Sequence, residues 1–284
     1  VRGRSKSDLP LSFTLLAFAL LLSSCNANPL LSRSEIANRV ATPANWSPAE
    51  ITTDTFRLRF YTPRKQGKNP KLTIYLEGDG LAWIDRTHPS SDPTPTDPIS
   101  LRLAVAQTSG PVAYIARPCQ YTLALDRQRC TQKFWTYARY SEPIVSAVSQ
   151  GIDYLKGQFG AKDINLVGYS GGGVIAALIA ARRDDVSLLV TVAANLDLDY
   201  WTRLHKTSPL FESLNPADKK PELRRQRQIH IVGIDDEIVP PEVARSYAMK
   251  IDQSLLGTIK YIKNADHDCC WADLWPDIIR DVIR

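Results

Sequence analysis

Ile164-Asn165-Leu166-Val167-Gly168-Tyr169-Ser170-Gly171-Gly172-Gly173-Val174-Ile175-Ala176-Ala177-Leu178-Ile179-Ala180 runs from an apolar segment through a glycine cluster into small and aliphatic residues. The apolar segment predicts a buried strand, the cluster a sharp turn, and the last stretch a helix, with one serine at the apex. A serine there is presented as a nucleophile. Its neighbours must be nearly free of side chains, because such a turn brings the backbone against both the preceding strand and the following helix.

Partners for that serine follow in order. Ile229-His230-Ile231-Val232-Gly233 is a short apolar strand, and Ile234-Asp235-Asp236-Glu237-Ile238-Val239-Pro240 follows it. Thr258-Ile259-Lys260-Tyr261-Ile262 alternates as a last strand, ahead of the polar loop Asn264-Ala265-Asp266-His267-Asp268. A serine, then an acid, then a histidine, each just past the carboxyl end of a strand, is the chain order of one known hydrolase architecture. On these residues the sequence resembles the α/β-hydrolase superfamily, from about Thr55 onward. The resemblance implies Ser170 as nucleophile, Asp236 as acid and His267 as base. Asp235 and Glu237 flank the acid, and the family motif favours Asp236. His230 lies within a strand, His88 in a proline-rich loop before the serine, and His205 ahead of the acid, so His267 alone satisfies the order.

The chemistry needs three residue types for three reasons. A serine hydroxyl attacks a carbonyl only if an imidazole takes its proton. A carboxylate fixes the imidazole tautomer and stabilises the imidazolium. The tetrahedral oxyanion needs donors preset in a water-poor site. The resemblance implies the backbone N–H of Gly171 as one donor. Leu72-Thr73-Ile74-Tyr75-Leu76 reads as an early strand, and Glu77-Gly78-Asp79-Gly80 after it makes the Asp79 N–H the second. Glu77 stands where a histidine is common in similar hydrolases. The Asp79 carboxylate would oppose an oxyanion unless it points away.

Arg2, Arg4 and Lys6 precede an apolar core from Leu11 to Leu22, which ends in Leu22-Ser23-Ser24-Cys25. That core is too short for a stable membrane span and fits a secretory segment. It resembles a bacterial lipoprotein signal, which implies cleavage after residue 24, lipidation of Cys25 and attachment through acyl chains. Asn26 lacks the aspartate that signals inner-membrane retention, so the expected location is the cell envelope, on the outer membrane facing the periplasm. Residues 25–54, with Pro29, Pro43 and Pro48, read as a polar tether, and 55–284 as the hydrolase domain.

The formal net charge is +5, and losing Arg2, Arg4, Lys6 and Asp8 leaves about +3. Charge of both signs is mixed along the chain without a basic stripe, which argues against nucleic acid as a partner. Cys119, Cys130, Cys269 and Cys270 form an even set suited to an oxidising compartment. No metal is expected, since no C-x-x-C spacing occurs and the histidines are not spaced as ligands. Cys119–Cys130, closing a short loop, is the preferred bridge. Cys269 and Cys270 are left as a vicinal pair or free thiols, and pairing between the two regions stays open. Loss of Cys119 is expected to lower stability but spare the activity of the folded enzyme.

The remaining strands read at Phe56-Leu58-Phe60, Val112–Ala116 and Leu188–Val192, and the mostly continuous apolar runs suit strands buried on both faces. Helices are expected from Ser141, from Pro240 and from Trp271 to Ile283. The fold class is therefore α/β, a doubly wound, mostly parallel sheet flanked by helices, in one domain and expected to be a monomer. Residues 81–100, rich in proline, and 194–217, with Tyr200, Trp201, Leu210 and Phe211, leave the carboxyl edge where ligands bind. The function these features imply is an envelope-anchored serine hydrolase. It would cleave a small or lipid-like carboxylic ester through an acyl-enzyme, without a cofactor. A serine peptidase or thioesterase of the same fold is one alternative. A lipoprotein using the fold as a binding or assembly module is another.

Overall fold

The computed structural model describes residues 31–65, 67–122 and 129–283, of which Leu31 onward belongs to one compact unit. The expected signal segment and Cys25 lie outside the described residues.

Eight strands form one sheet in the order β1-β2-β4-β3-β5-β6-β7-β8. They are β1 (Trp46–Thr52), β2 (Arg57–Pro63), β3 (Lys71–Leu76), β4 (Val112–Ile115), β5 (Asp163–Tyr169), β6 (Val186–Val192), β7 (Gln228–Gly233) and β8 (Ile259–Ile262). From β4 across to β8 the pairing is parallel, whereas β1 and β2 add antiparallel. Every expected strand is present.

Side chains alternate across the sheet and feed two cores. Leu72, Ile74 and Leu76 of β3, with Ile164 and Leu166 of β5, face one core. It is shared with α3 (Glu142–Phe159), α4 (Gly171–Ala180) and α7 (Pro241–Ile251). Tyr75, Val167 and Tyr169 face the other core, beneath α1 (Arg33–Ala41), α2 (Ile99–Ala106) and α8 (Trp271–Val282). Such two-sided burial explains why the inner strands read as continuous apolar runs. Two short helices, α5 (Leu198–Leu204) and α6 (Lys220–Leu223), complete the helical layer.

The tether reading requires correction. Only residues before the helix remain candidates for it, because Arg33–Ala41 is helical and Trp46–Thr52 is the first strand of the sheet. Ser32 caps α1 reciprocally: its Oγ accepts from Glu35 N–H, and Glu35 accepts from Ser32 N–H. Pro48 is tolerated in β1 because an edge strand leaves one side of its backbone unpaired. Ala37 and Ala41 bury the inner face of α1. The folded domain therefore begins well before residue 55, and Arg33 donates to the carbonyls of Asp92 and Thr94 in the proline-rich loop.

The order places β3 beside β5, with β4 on the far side of β3. Successive connections thus leave this point toward opposite ends of the sheet, opening a crevice at the carboxyl ends of β3 and β5.

Candidate active site

Ser170 sits between β5 and α4 with φ of 48° and ψ of −125°. A side chain at Gly168 would meet the carbonyl oxygen of Gly172 at 2.4 Å, so only glycine permits the turn to fold back on itself. Ten buried residues of α4 then lock the turn onto the sheet. Sequence alone set this requirement, and the geometry meets it.

The structure brings the three expected side chains together. Ser170 Oγ lies 3.1 Å from His267 Nε2, and His267 Nδ1 lies 2.9 Å from Asp236 Oδ2. Asp236 is buried, and its Oδ1 accepts from the N–H groups of Ile238 at 2.9 Å and Val239 at 2.7 Å. With Oδ2 facing the imidazole, Nδ1 carries the proton and Nε2 is left to accept from Ser170. Asp235 is exposed and engages the loop only through its N–H, to the Ala265 carbonyl.

Its competitors are accounted for. His230 is fully buried, bonds Thr191 Oγ1 at 2.8 Å, and is held neutral by burial, which pushes its imidazole down to about 3. His88 pairs with exposed Asp85 on the surface. His205 packs against Trp201 at the pocket wall.

Two residues that sequence reasoning missed hold the histidine loop. Tyr169 Oη donates to the His267 carbonyl at 2.9 Å, and Trp271 Nε1 donates to the same oxygen at 2.8 Å. Asp266 closes the turn by accepting from the N–H groups of Asp268 and Cys269. Cys269 and Cys270 are joined as a vicinal disulfide at the start of α8.

The loop after β3, the candidate oxyanion loop, lies against Ser170: a side chain on Gly78 would come 3.4 Å from Ser170 Cβ. Among the described residues, neither the Asp79 N–H nor the Gly171 N–H finds a protein acceptor. Gly171 is also the first residue of α4, whose N-terminal dipole favours negative charge. The Asp79 carboxylate packs beside Gly171 and is held in a cluster that sequence did not reveal. Its Oδ1 accepts from Arg117 Nη1 at 2.6 Å and its Oδ2 from Arg139 Nη1 at 2.7 Å, while Tyr140 Oη donates at 3.0 Å. Burial alone would raise this carboxyl, but the Arg139 and Arg117 guanidiniums reverse that and hold it at about 2.

Glu77 supplies the order that a histidine would give this loop. It is buried, and its Oε1 accepts from Gly78 N–H at 2.9 Å and Ser100 N–H at 3.3 Å. Its Oε2 accepts from Tyr114 Oη at 3.0 Å. Burial pushes its carboxyl up to about 7, against the pull of these donors.

The preferred bridge, Cys119–Cys130, is present. The structure changes its expected consequence, however. Arg117 and Gln120 flank Cys119, and Gln120 Nε2 donates to the Gly78 carbonyl at 2.9 Å while Arg117 grips Asp79. The bridge therefore restrains the segment that braces the loop after β3. Cys119→Ser should lose about 2–3 kcal/mol of stability. It should also lower kcat several-fold in the folded fraction, as kinetics at a temperature well below unfolding would register.

Above Ser170 opens a cavity of about 1950 Å³, whose walls include Trp83 from the 81–100 segment, Leu204 and Phe211 from the 194–217 segment, and Ile238 from the loop after β7. Among the described residues, no group of three or more His, Cys, Asp and Glu side chains is placed to hold a metal.

No protein-family model matches this sequence, and no curated protein matches it. Solved structures do. Est1E from Butyrivibrio proteoclasticus aligns with a TM-score of 0.56 at 15% identity, over 83% of this chain and 97% of that one. The Pyrococcus furiosus esterase Pf2001 aligns with a TM-score of 0.57 at 12% identity, over 88% and 92%. A structure described as a membrane phospholipase A, a bacterial virulence factor, aligns with a TM-score of 0.54 at 14% identity, over 88% and 91%. At these identities the likeness speaks for architecture: the chain has the α/β-hydrolase fold, with a mostly parallel sheet between helices.

Proposed function

We propose that the protein is a serine hydrolase that cleaves a carboxylic ester through an acyl-enzyme. The observation that carries this reading is the Ser170–His267–Asp236 hydrogen-bond chain beside two N–H groups without protein acceptors. Ser170 Oγ attacks the ester carbonyl as its proton passes to His267 Nε2. The oxyanion forms toward the Gly171 and Asp79 N–H groups. The carbon–oxygen bond to the alcohol breaks, and the alcohol leaves with the proton from Nε2. Water then attacks the acyl-enzyme, returns a proton to Nε2, and the acid departs as Ser170 Oγ is reprotonated. These steps require no cofactor.

The substrate is a lipid-like ester. Four of the ten large apolar side chains exposed among the described residues, Trp83, Leu204, Phe211 and Ile238, belong to this one cavity. Clustering of that kind marks a binding surface for apolar groups. Esterases and a phospholipase among the structural neighbours fit the same chemistry. The reading extends to an enzyme anchored in the bacterial envelope through lipidated Cys25, on the strength of the Leu22-Ser23-Ser24-Cys25 sequence. Purified protein should hydrolyse p-nitrophenyl esters with kcat/KM rising from acetyl to medium-chain acyl groups. Absence of turnover across the series would sink the ester reading, and a preference for acetyl would sink the lipid-like one.

A further inference from the structure

The oxyanion site carries a charge imbalance. Arg117 and Arg139 are both buried, with side chains only 6% and 9% exposed, and they share the single carboxylate of Asp79. Among the described residues no other carboxylate lies within ion-pair distance of either guanidinium. Their remaining bonds go to neutral groups: Arg117 Nη2 donates to the Arg139 carbonyl, and Arg139 Nε donates to the Thr136 carbonyl at 2.6 Å. Arg117 also lies over the Tyr140 ring. Two positive charges and one negative charge are therefore buried together, with one positive charge in surplus. An uncompensated buried charge is costly, and it persists where something else provides the compensation.

The position of the cluster says what that is. A side chain at Gly171 would come 2.0 Å from Asp79 Oδ1 and 2.7 Å from Tyr140 Oη, so the cluster packs directly on the residue that follows the nucleophile. Asp79 itself carries the other candidate donor. The cluster thus packs against Gly171 and contains Asp79, the two residues whose N–H groups are the candidate oxyanion donors. Among the described residues neither N–H is taken up by a backbone hydrogen bond, and the charged bonds hold the Asp79 side chain.

We propose that Arg117 and Arg139, acting through Asp79, clamp the two oxyanion donors in register and leave one positive charge beside the oxyanion as it forms. The inference rests on the serine-hydrolase reading. The arginines are positioning residues: they favour the anionic tetrahedral state over the neutral ester, so their effect belongs in kcat and not in KM. Without them, the Asp79 carboxylate would repel the same charge.

Arg139→Gln and Arg139→Lys separate charge from shape. The measurements are kcat and KM for a p-nitrophenyl ester, and the affinity of an alkyl boronic acid, which becomes an anionic tetrahedral adduct on Ser170. Arg139→Gln should lower kcat by about 10- to 100-fold, keep KM within about threefold, and weaken the boronate by a similar factor to kcat. Arg139→Lys, which keeps the charge, should recover most of the loss. A Gln variant whose kcat and boronate affinity stay within about threefold of the parent overturns the proposal. So does a loss of kcat without loss of boronate affinity. If Arg139→Gln does not fold, Tyr140→Phe removes one bond to Asp79 without changing charge. It should lower kcat and boronate affinity in parallel by about 3- to 10-fold, and no change in either would equally overturn the clamp. A parent protein that neither hydrolyses esters nor reacts with a fluorophosphonate would instead remove the hydrolase reading itself.

Discussion

Ser170→Ala is expected to reduce ester turnover by about 10⁴- to 10⁶-fold while leaving the melting temperature nearly unchanged. The two halves of this expectation have separate causes. Ser170 Oγ is the nucleophile of the proposed mechanism, and the one hydrogen bond it makes among the described residues is the contact with His267 at 3.1 Å. Removing it deletes the acyl-enzyme route but little folding energy, because the group is partly solvent-exposed. The backbone at this position has a positive φ of 48°, and alanine tolerates that region no better and no worse than serine. Strain in the turn is therefore neither relieved nor added. Residual turnover above a few per cent would move the nucleophile elsewhere, and thermal unfolding of both proteins would show whether a fall in activity reflects chemistry or folding.

Asp236→Asn should cost about 10⁴-fold in kcat, for a reason the hydrogen bonds make specific. Oδ1 of Asp236 already accepts from the Ile238 and Val239 N–H groups. An asparagine must keep its carbonyl oxygen on those donors, which turns its NH₂ toward His267 Nδ1. Nδ1 then becomes an acceptor, and the ring proton shifts to Nε2, where it faces Ser170 and cannot take the hydroxyl proton. Asp235→Asn is the control. That side chain is exposed and outside the relay, so its kcat should stay within about twofold of the parent. Steady-state kinetics on the two variants rank them, and the reverse ranking would place the acid at Asp235.

The residues that sequence exposed share one property: their signals are local. The glycines around Ser170, the loop after Val232 and the loop after Ile262 each sit directly beyond a strand that its own composition predicts. Parallel topology then brings these ends to one edge without further information. The Asp79–Arg117–Arg139 cluster was hidden for the opposite reason. Arg117 and Arg139 lie 38 and 60 residues from Asp79, on loops whose composition reads as ordinary solvated charge. Only the packing of the loop after β4 onto the loop after β3 makes them neighbours. Tyr169 and Trp271, 102 residues apart in the sequence, meet at the His267 carbonyl in the same way.

The misplaced domain start has a different origin. Pro43 and Pro48 made residues 25–54 read as a tether, yet Pro48 lies on an edge strand that accommodates it. The signal for α1 was present: Ser32 and Glu35 have the spacing of a reciprocal cap. Its helix is polar on average and only Ala37 and Ala41 are buried, so no strong apolar periodicity accompanied that cap. Burial there depends on α2 and β1, and a local reading does not contain them.

In the proposed mechanism Ser170 is an activated nucleophile in a site built for acyl transfer. Reaction with a fluorophosphonate, followed by intact mass measurement and peptide mapping, tests it most directly. One phosphonyl group per chain is expected, mapped to Ser170, absent from Ser170→Ala and strongly slowed in Asp236→Asn. An unmodified protein, or an adduct on any other residue, would contradict it.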